Sequence, residues 1–125
     1  MSEYRLIVTK KPTLRLWLIE GKKRTILAST KGRRADLLRE VILPSLNMTE
    51  FMSWRDGRVN YHLEEESALR LYLAMKTIAG VTKWSRINGY VEAVRHMDRG
   101  EALSWYSLYL KLGFKAIAAF RTAYS

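Results

Sequence analysis

Hydrophobic and polar positions alternate with a period of two near the start of the chain and then lengthen to a helical period. Tyr4–Thr9 alternates well enough for a strand and is rich in β-formers. Lys10-Lys11-Pro12-Thr13 interrupts it, because Pro has no amide proton for a ladder. Leu14, Leu16 and Leu18 then mark one face of a second strand, with Arg15 and Trp17 on the other. Glu20-Gly21-Lys22-Lys23 reads as a turn and Arg24–Ala28 as a third strand. Three consecutive strands with short turns predict an antiparallel meander with one buried and one free face. On this reading Tyr4–Thr9 is an edge that a second copy of the chain can pair with.

The rest of the chain reads mainly as helix. Ala35–Leu43 is helical up to Pro44, which ends or kinks it. Residues 47–61 are ambiguous. Asn47 or Thr49 can cap a short helix, while Asp56-Gly57 is a hairpin signal leading into a strand at Arg58–Leu63, the preferred reading. Glu64, Glu65 and Glu66 open a helix that runs to Lys76, with Gly80 placed just past its end. Its many apolar residues, from Leu69 to Ile78, leave little polar surface, so it is expected at the centre of the core. Thr82 is placed to cap a helix whose apolar seam is Trp84, Ile87, Val91 and Val94. Asp98-Arg99-Gly100-Glu101 has capping-box spacing for another through Leu112, and Gly113 separates that from a last amphipathic segment, Phe114 to Tyr124. The predicted fold class is α+β in a single domain spanning 1–125: a small antiparallel meander of three to four strands plus one helix over 1–63, then a bundle of about four helices over 64–125.

Composition narrows the class. With 125 residues and 48% hydrophobic content, including four Trp, the chain can bury a real core. No apolar run approaches the ~20 residues of a membrane-spanning helix, and the start of the chain lacks the organisation of a signal peptide. A soluble, cytoplasmic protein is expected. The absence of Cys excludes disulfides, thiolate catalysis and Cys-ligated zinc. Gln is also absent and Asn is confined to positions 47, 60 and 88. That drift, with abundant Arg and Lys, makes a thermophilic source an expectation on a par with a mesophilic one.

Charge changes the picture more. The formal net charge is +10. Residues 1–34 hold ten Lys or Arg against only Glu3 and Glu20, and the remainder is close to balanced. A field so concentrated attracts nucleic acid or an acidic surface. The candidate contacts are Lys10, Lys11, Arg15, Lys22, Lys23, Arg24, Lys31, Arg33 and Arg34. A solvated surface is the plain alternative, but thermophilic surfaces balance Lys and Arg with Glu, and here that balance is missing. The turns at Lys10-Lys11 and Lys22-Lys23 fall at opposite ends of the second strand, roughly 25–30 Å apart. Such a stripe suits tracking of a phosphate backbone better than reading of bases. Trp17 packs beneath a helix in the simpler reading, or faces outward beside Arg15 and stacks on a base.

Catalytic motifs are weak. Glu20-Gly21-Lys22 resembles half of a nuclease metal site, yet no Asp precedes Asp36 to share the metal, so a turn explains it better. His62 and His96 have no partner at metal-ligand spacing, and there is no Gly-rich phosphate loop or nucleophile elbow. Glu64–Glu66 suits a helix N-terminus more simply than a metal platform. The chain reads as a non-enzyme without metal or cofactor. Ala79-Gly80-Val81-Thr82 resembles the turn of a helix-turn-helix, which makes Lys83, Arg86 and Arg95 an alternative nucleic-acid surface. Lys76 falls there where a small residue should pack and Arg86 where an apolar one should. Gly89 weakens the supposed recognition helix, so an ordinary helix connection is preferred.

Three segments carry a family resemblance: Glu65-Glu66-Ser67-Ala68-Leu69-Arg70-Leu71, Met97 through Tyr106, and Lys115 through Arg121. They resemble an uncharacterised prokaryotic family with E-E-x-x-x-R-L, M-S-x-E-E-A-x-x-W and R-A-L-R-A-L-R segments. The likeness spans roughly residues 60–121, with departures at Gly100, Ile117 and Ala119. It implies a protein without assigned chemistry, from genes often near helicase and methylase genes in what look like defence loci. It transfers no catalytic residue, since the matched positions serve mostly packing and capping. Trp105, spaced with Ala102, Tyr109 and Leu112, is such a core position. The function expected is a nucleic-acid-binding accessory protein, DNA or RNA, that contacts phosphates with little sequence specificity. The competing reading is a protein–protein adaptor, a homodimer or a subunit of a larger complex, using the same cations or the aromatic surface of Tyr106, Tyr109, Phe114, Phe120 and Tyr124.

Overall fold

Period-two alternation becomes a sheet once each strand finds its neighbours. The computed structural model describes residues 2–53 and 57–125. Five strands, β1 (Ser2–Thr9), β2 (Thr13–Glu20), β3 (Lys23–Lys31), β4 (Met48–Ser53) and β5 (Val59–Leu63), form one antiparallel sheet in the order β3-β2-β1-β5-β4. The meander of β1 to β3 is as expected. Two expectations are corrected. β1 is the middle strand, paired with β2 on one side and β5 on the other, so Tyr4–Thr9 is not a free edge. The sheet has five strands and not three to four, because the segment after Asn47, left open between a short helix and a hairpin, pairs with β5 as β4 and so satisfies its backbone. Asp56 of the hairpin signal lies outside the described residues.

The alternation dictates what each face carries. Leu6 pairs with Leu16 and Val8 with Leu14, and these four side chains are buried on one face with Ala28 and Leu63. Two bulges break the register, at Leu16/Trp17 against β3 and at Glu50/Met52 against β5. The first leaves Leu27 as the extra residue. Ile26 therefore pairs with Trp17 on one face while Ala28 pairs with Leu16 on the other, although both are even-numbered.

The helices cover the Leu6 face. Helix α1 (Arg33–Val41) starts two residues before the predicted boundary, and a 3-10 turn at Leu43–Ser45, with Pro44 in its first turn, follows it. Together they carry the chain from β3 at one edge to β4 at the other. Helix α2 (Glu65–Ile78) is buried almost throughout and packs against α1, α3, α4, α5 and β3, which makes it the centre of the core. Each fully buried Leu or Ile in that core contributes about 1.5–3 kcal/mol relative to exposure. Gly80 follows the helix with φ +75°, a left-handed conformation glycine adopts without penalty. Helix α3 (Trp84–Arg95) buries Ile87, Tyr90, Val91 and Val94. Its N-cap is Lys83 without a side-chain bond, so Thr82 is not the cap expected. Helix α4 (Arg99–Leu112) is capped as its spacing predicts, with the Asp98 carboxylate accepting from the Glu101 amide at 2.8 Å. Helix α5 (Phe114–Ala123) returns along it and buries Phe120, whose ring meets Trp105 edge-on at 5.1 Å. Among the described residues no helix is long and apolar enough to cross a membrane.

Candidate functional site

Among the described residues every helix lies on one face, and the opposite face of the sheet carries none. Register assigns its side chains in rows. Ile26, Trp17, Arg5, His62 and Thr49 form one row across β3, β2, β1, β5 and β4. Ser29, Arg15, Ile7 and Asn60 form a second, and Arg24, Ile19 and Glu3 a third. Trp17 thus lies on the open face beside Arg15, not beneath a helix as the simpler expectation had it. Leu14, Leu16 and Leu18 take the other face of β2, so strand parity leaves the indole no route to the core.

These rows enclose a cleft of about 310 Å³ lined by Arg5, Ile7, Trp17, Ile19, Arg24, Phe51, Arg58 and Asn60. Phe51 is held by stacking on His62, with ring centroids 4.0 Å apart, and the Arg5 guanidinium lies 5.2 Å from the same ring centre. Glu3 forms an ion pair with Arg5, and its carboxylate is 3.3 Å from Nδ1 of His62. The Arg5 hydrogen bond holds the Glu3 carboxyl below its ordinary value, with a smaller contribution from His62. Trp17 Nε1 is buried and finds no hydrogen-bond acceptor among the described residues.

A family model described as a domain of unknown function (DUF7680) matches residues 3–123. The chain belongs to that family. No curated protein matches it, and no solved structure matches its fold. Membership in DUF7680 is consistent with the likeness noted over residues 60–121 and assigns no chemistry to either face.

The predicted basic residues of this DUF7680 chain divide into three groups. Arg15, Arg24 and Lys31 belong by register to the open face. Lys10 and Lys11 lie at one end of it and Lys22 and Lys23 at the other, as the meander requires. Lys10 approaches Gly57 so closely that a Cβ there would come within 3.0 Å of the Lys10 Cβ. This approach brings Lys10 and Lys11 beside Arg58, and those three with Thr9 line a second cleft. Because Arg58 lines both clefts, the cations run continuously from the β1–β2 turn into the aromatic cleft.

Arg33 and Arg34 do something else. The Arg33 guanidinium lies over the Trp84 ring, and Arg34 Nη2 donates to the Val81 carbonyl at 2.5 Å. Both join the start of α1 to the start of α3. In the alternative set, Lys83 and Arg86 are exposed, while Arg95 is engaged by Glu92 at 3.0 Å and contacts His96. Arg5, Phe51, Arg58 and Asn60 were missed from sequence. Arg5 was signalled by its place between Tyr4 and Leu6 in an alternating strand, and Phe51 lay in the ambiguous segment. Among the described residues no group of three or more Asp, Glu or His side chains could hold a metal ion.

Proposed function

We propose that this protein is a non-enzymatic nucleic-acid-binding accessory protein that holds phosphates along the open face of its sheet. One observation carries the reading: the face that none of the described helices covers gathers Arg5, Arg15, Arg24 and Arg58 around Trp17 and Phe51, with Glu3 as an acid that register places among them. Guanidiniums bind phosphate oxygens in pairs of hydrogen bonds, and neutralised phosphates release counterions. The site reads no bases through a groove-fitting helix, so binding tolerates changes of sequence. It acts in the cytoplasm beside the enzymes that process nucleic acid, in keeping with the defence-type gene neighbourhood that the sequence resemblance implies.

Fluorescence anisotropy across a salt series tests this. Affinity falls steeply with salt, and replacing Lys10, Lys11, Arg15 and Arg24 with Ser lowers the slope by about 0.7–0.9 for each phosphate that is no longer neutralised. Wild-type affinity in that variant, or no affinity in the wild type, overturns the proposal.

A second reading, a protein–protein adaptor or homodimer, is favoured by the corner between α4 and α5. Leu110 is 67% exposed, Leu112 48% and Phe114 77%, more apolar surface in one place than scattered residues account for. Light scattering on wild type and Phe114→Ser distinguishes an oligomer that this corner holds together from a monomer.

A further inference from the structure

The geometry points to a narrower ligand than a polyanion in general: the cleft at Trp17 takes an unpaired base of a single-stranded nucleic acid. This inference rests on the proposed function and deepens it.

The cleft has β2, β1 and β5, the three interior strands of the sheet, as its floor, with Arg24 of β3 and Phe51 of β4 at its sides. Their backbone amides and carbonyls are engaged by flanking strands on both sides. An incoming peptide therefore finds no ladder to extend, and whatever enters is recognised by side chains alone. Those side chains are two aromatic rings, Trp17 and Phe51, set among Arg5, Arg24 and Arg58. Rings and guanidiniums offer two kinds of interaction, stacking on a flat π-face and pairing with phosphate. A strand whose bases are splayed out supplies both at the spacing of one nucleotide. A duplex supplies only phosphates, since its π-faces are covered by neighbouring base pairs.

The indole makes the second argument. Buried donors in folded proteins almost always have an acceptor. Trp17 Nε1 is buried in the sheet surface and has none among the described residues. A small shift of the indole that uncovers its edge lets the phosphate or sugar of a nucleotide bound in the cleft accept from that N–H. Phe51 needs no such partner, and its stacking on His62 holds it against the cleft before anything binds. Charge complementarity completes the fit, since Lys10 and Lys11 extend the cationic line from Arg58 along the path of a bound strand.

Anisotropy with three probes of equal length tests the inference: a single strand, the same backbone without bases, and a duplex. The expected result is a single strand bound at least about tenfold more tightly than the abasic probe or the duplex. Trp17→Ala should remove that preference, a loss of about tenfold to a hundredfold on the single strand and almost none on the abasic probe. Trp17→Phe keeps a ring without the N–H donor and should fall between, and as a strand-compatible change it serves if Trp17→Ala does not fold. Equal affinity for base-bearing and abasic probes, with the salt dependence intact, overturns the base site and leaves the phosphate-binding reading standing. No binding to any probe overturns both.

Discussion

The guanidinium of Arg33 lies 4.1 Å from the centre of the Trp84 ring, and that stacking joins the first turn of α1 to the first turn of α3. Arg34 approaches the same ring to 5.9 Å while bonding the Val81 carbonyl. Two residues that belong to the most basic stretch of the chain therefore work on the helices.

Arg34→Ala should lower stability by about 1–2 kcal/mol, the usual loss for a charge-assisted hydrogen bond with a cation–π contact. Lys22→Ser with Lys23→Ser should stay within about 0.5 kcal/mol, since both side chains are exposed. Urea unfolding measures both. An Arg34→Ala midpoint equal to that of the wild type would show the clamp to be idle.

Arg70 gives a second stability prediction. Its Nη2 donates to the carbonyls of Val94 at 3.2 Å and Arg95 at 3.0 Å, and Nη1 reaches Ser45 O at 3.5 Å. One buried guanidinium thus closes the C-terminus of α3, where orphan carbonyls need donors, and ties it to the 3-10 turn. Arg70→Met leaves the Arg95 carbonyl without its side-chain donor, while Val94 O keeps the Met97 amide at 3.2 Å, and should cost about 1–3 kcal/mol. Arg70→Lys should recover little, because an ammonium cannot span the same fork of acceptors. Full stability of the Lys variant in thermal unfolding would contradict the geometric argument.

Glu3 links stability to pH. Arg5 first, and His62 after it, depress its carboxyl below the ordinary 4.5. A depressed folded-state value means that the contribution is present above the unfolded value and is lost as pH falls through the folded one. The wild-type urea midpoint should therefore drop more than that of Glu3→Gln between about pH 5 and about pH 3. At neutral pH, Glu3→Gln should also tighten nucleic-acid binding, since it removes a carboxylate from the cationic face and releases Arg5. Parallel acid profiles, or weaker binding by the variant, would remove Glu3 from the site.

The meander, the order of the helices and the capping of α4 were legible because each depends on neighbours within a few residues. Leu14, Leu16 and Leu18 announce their common face by spacing alone, and Asp98 announces its cap three residues before Glu101. The candidate site was half legible. Arg15 and Arg24 stood out by charge and Arg5 meets Trp17 within the meander, but Phe51 and Arg58 join them only when β1 acquires β5 as its second neighbour.

The amino-acid sequence by itself determined that β1, β2 and β3 have one apolar side, that α2 is the central helix and that the cations crowd the first 34 residues. Periodicity and composition are local properties, and no folding is needed to read them. Tertiary structure decided that β1 lies in the middle of the sheet and that the bulge at Leu27 sets Ile26 and Ala28 on opposite faces. It also drew Arg33 and Arg34 away to Trp84 and left Trp17 half-buried in a cleft of the opposite face. The bulge belongs to a hairpin of neighbouring strands, while the others depend on pairing or contact between segments far apart in the chain. The balance of backbone hydrogen bonds and buried area that selects such a pairing exists only once both segments have met.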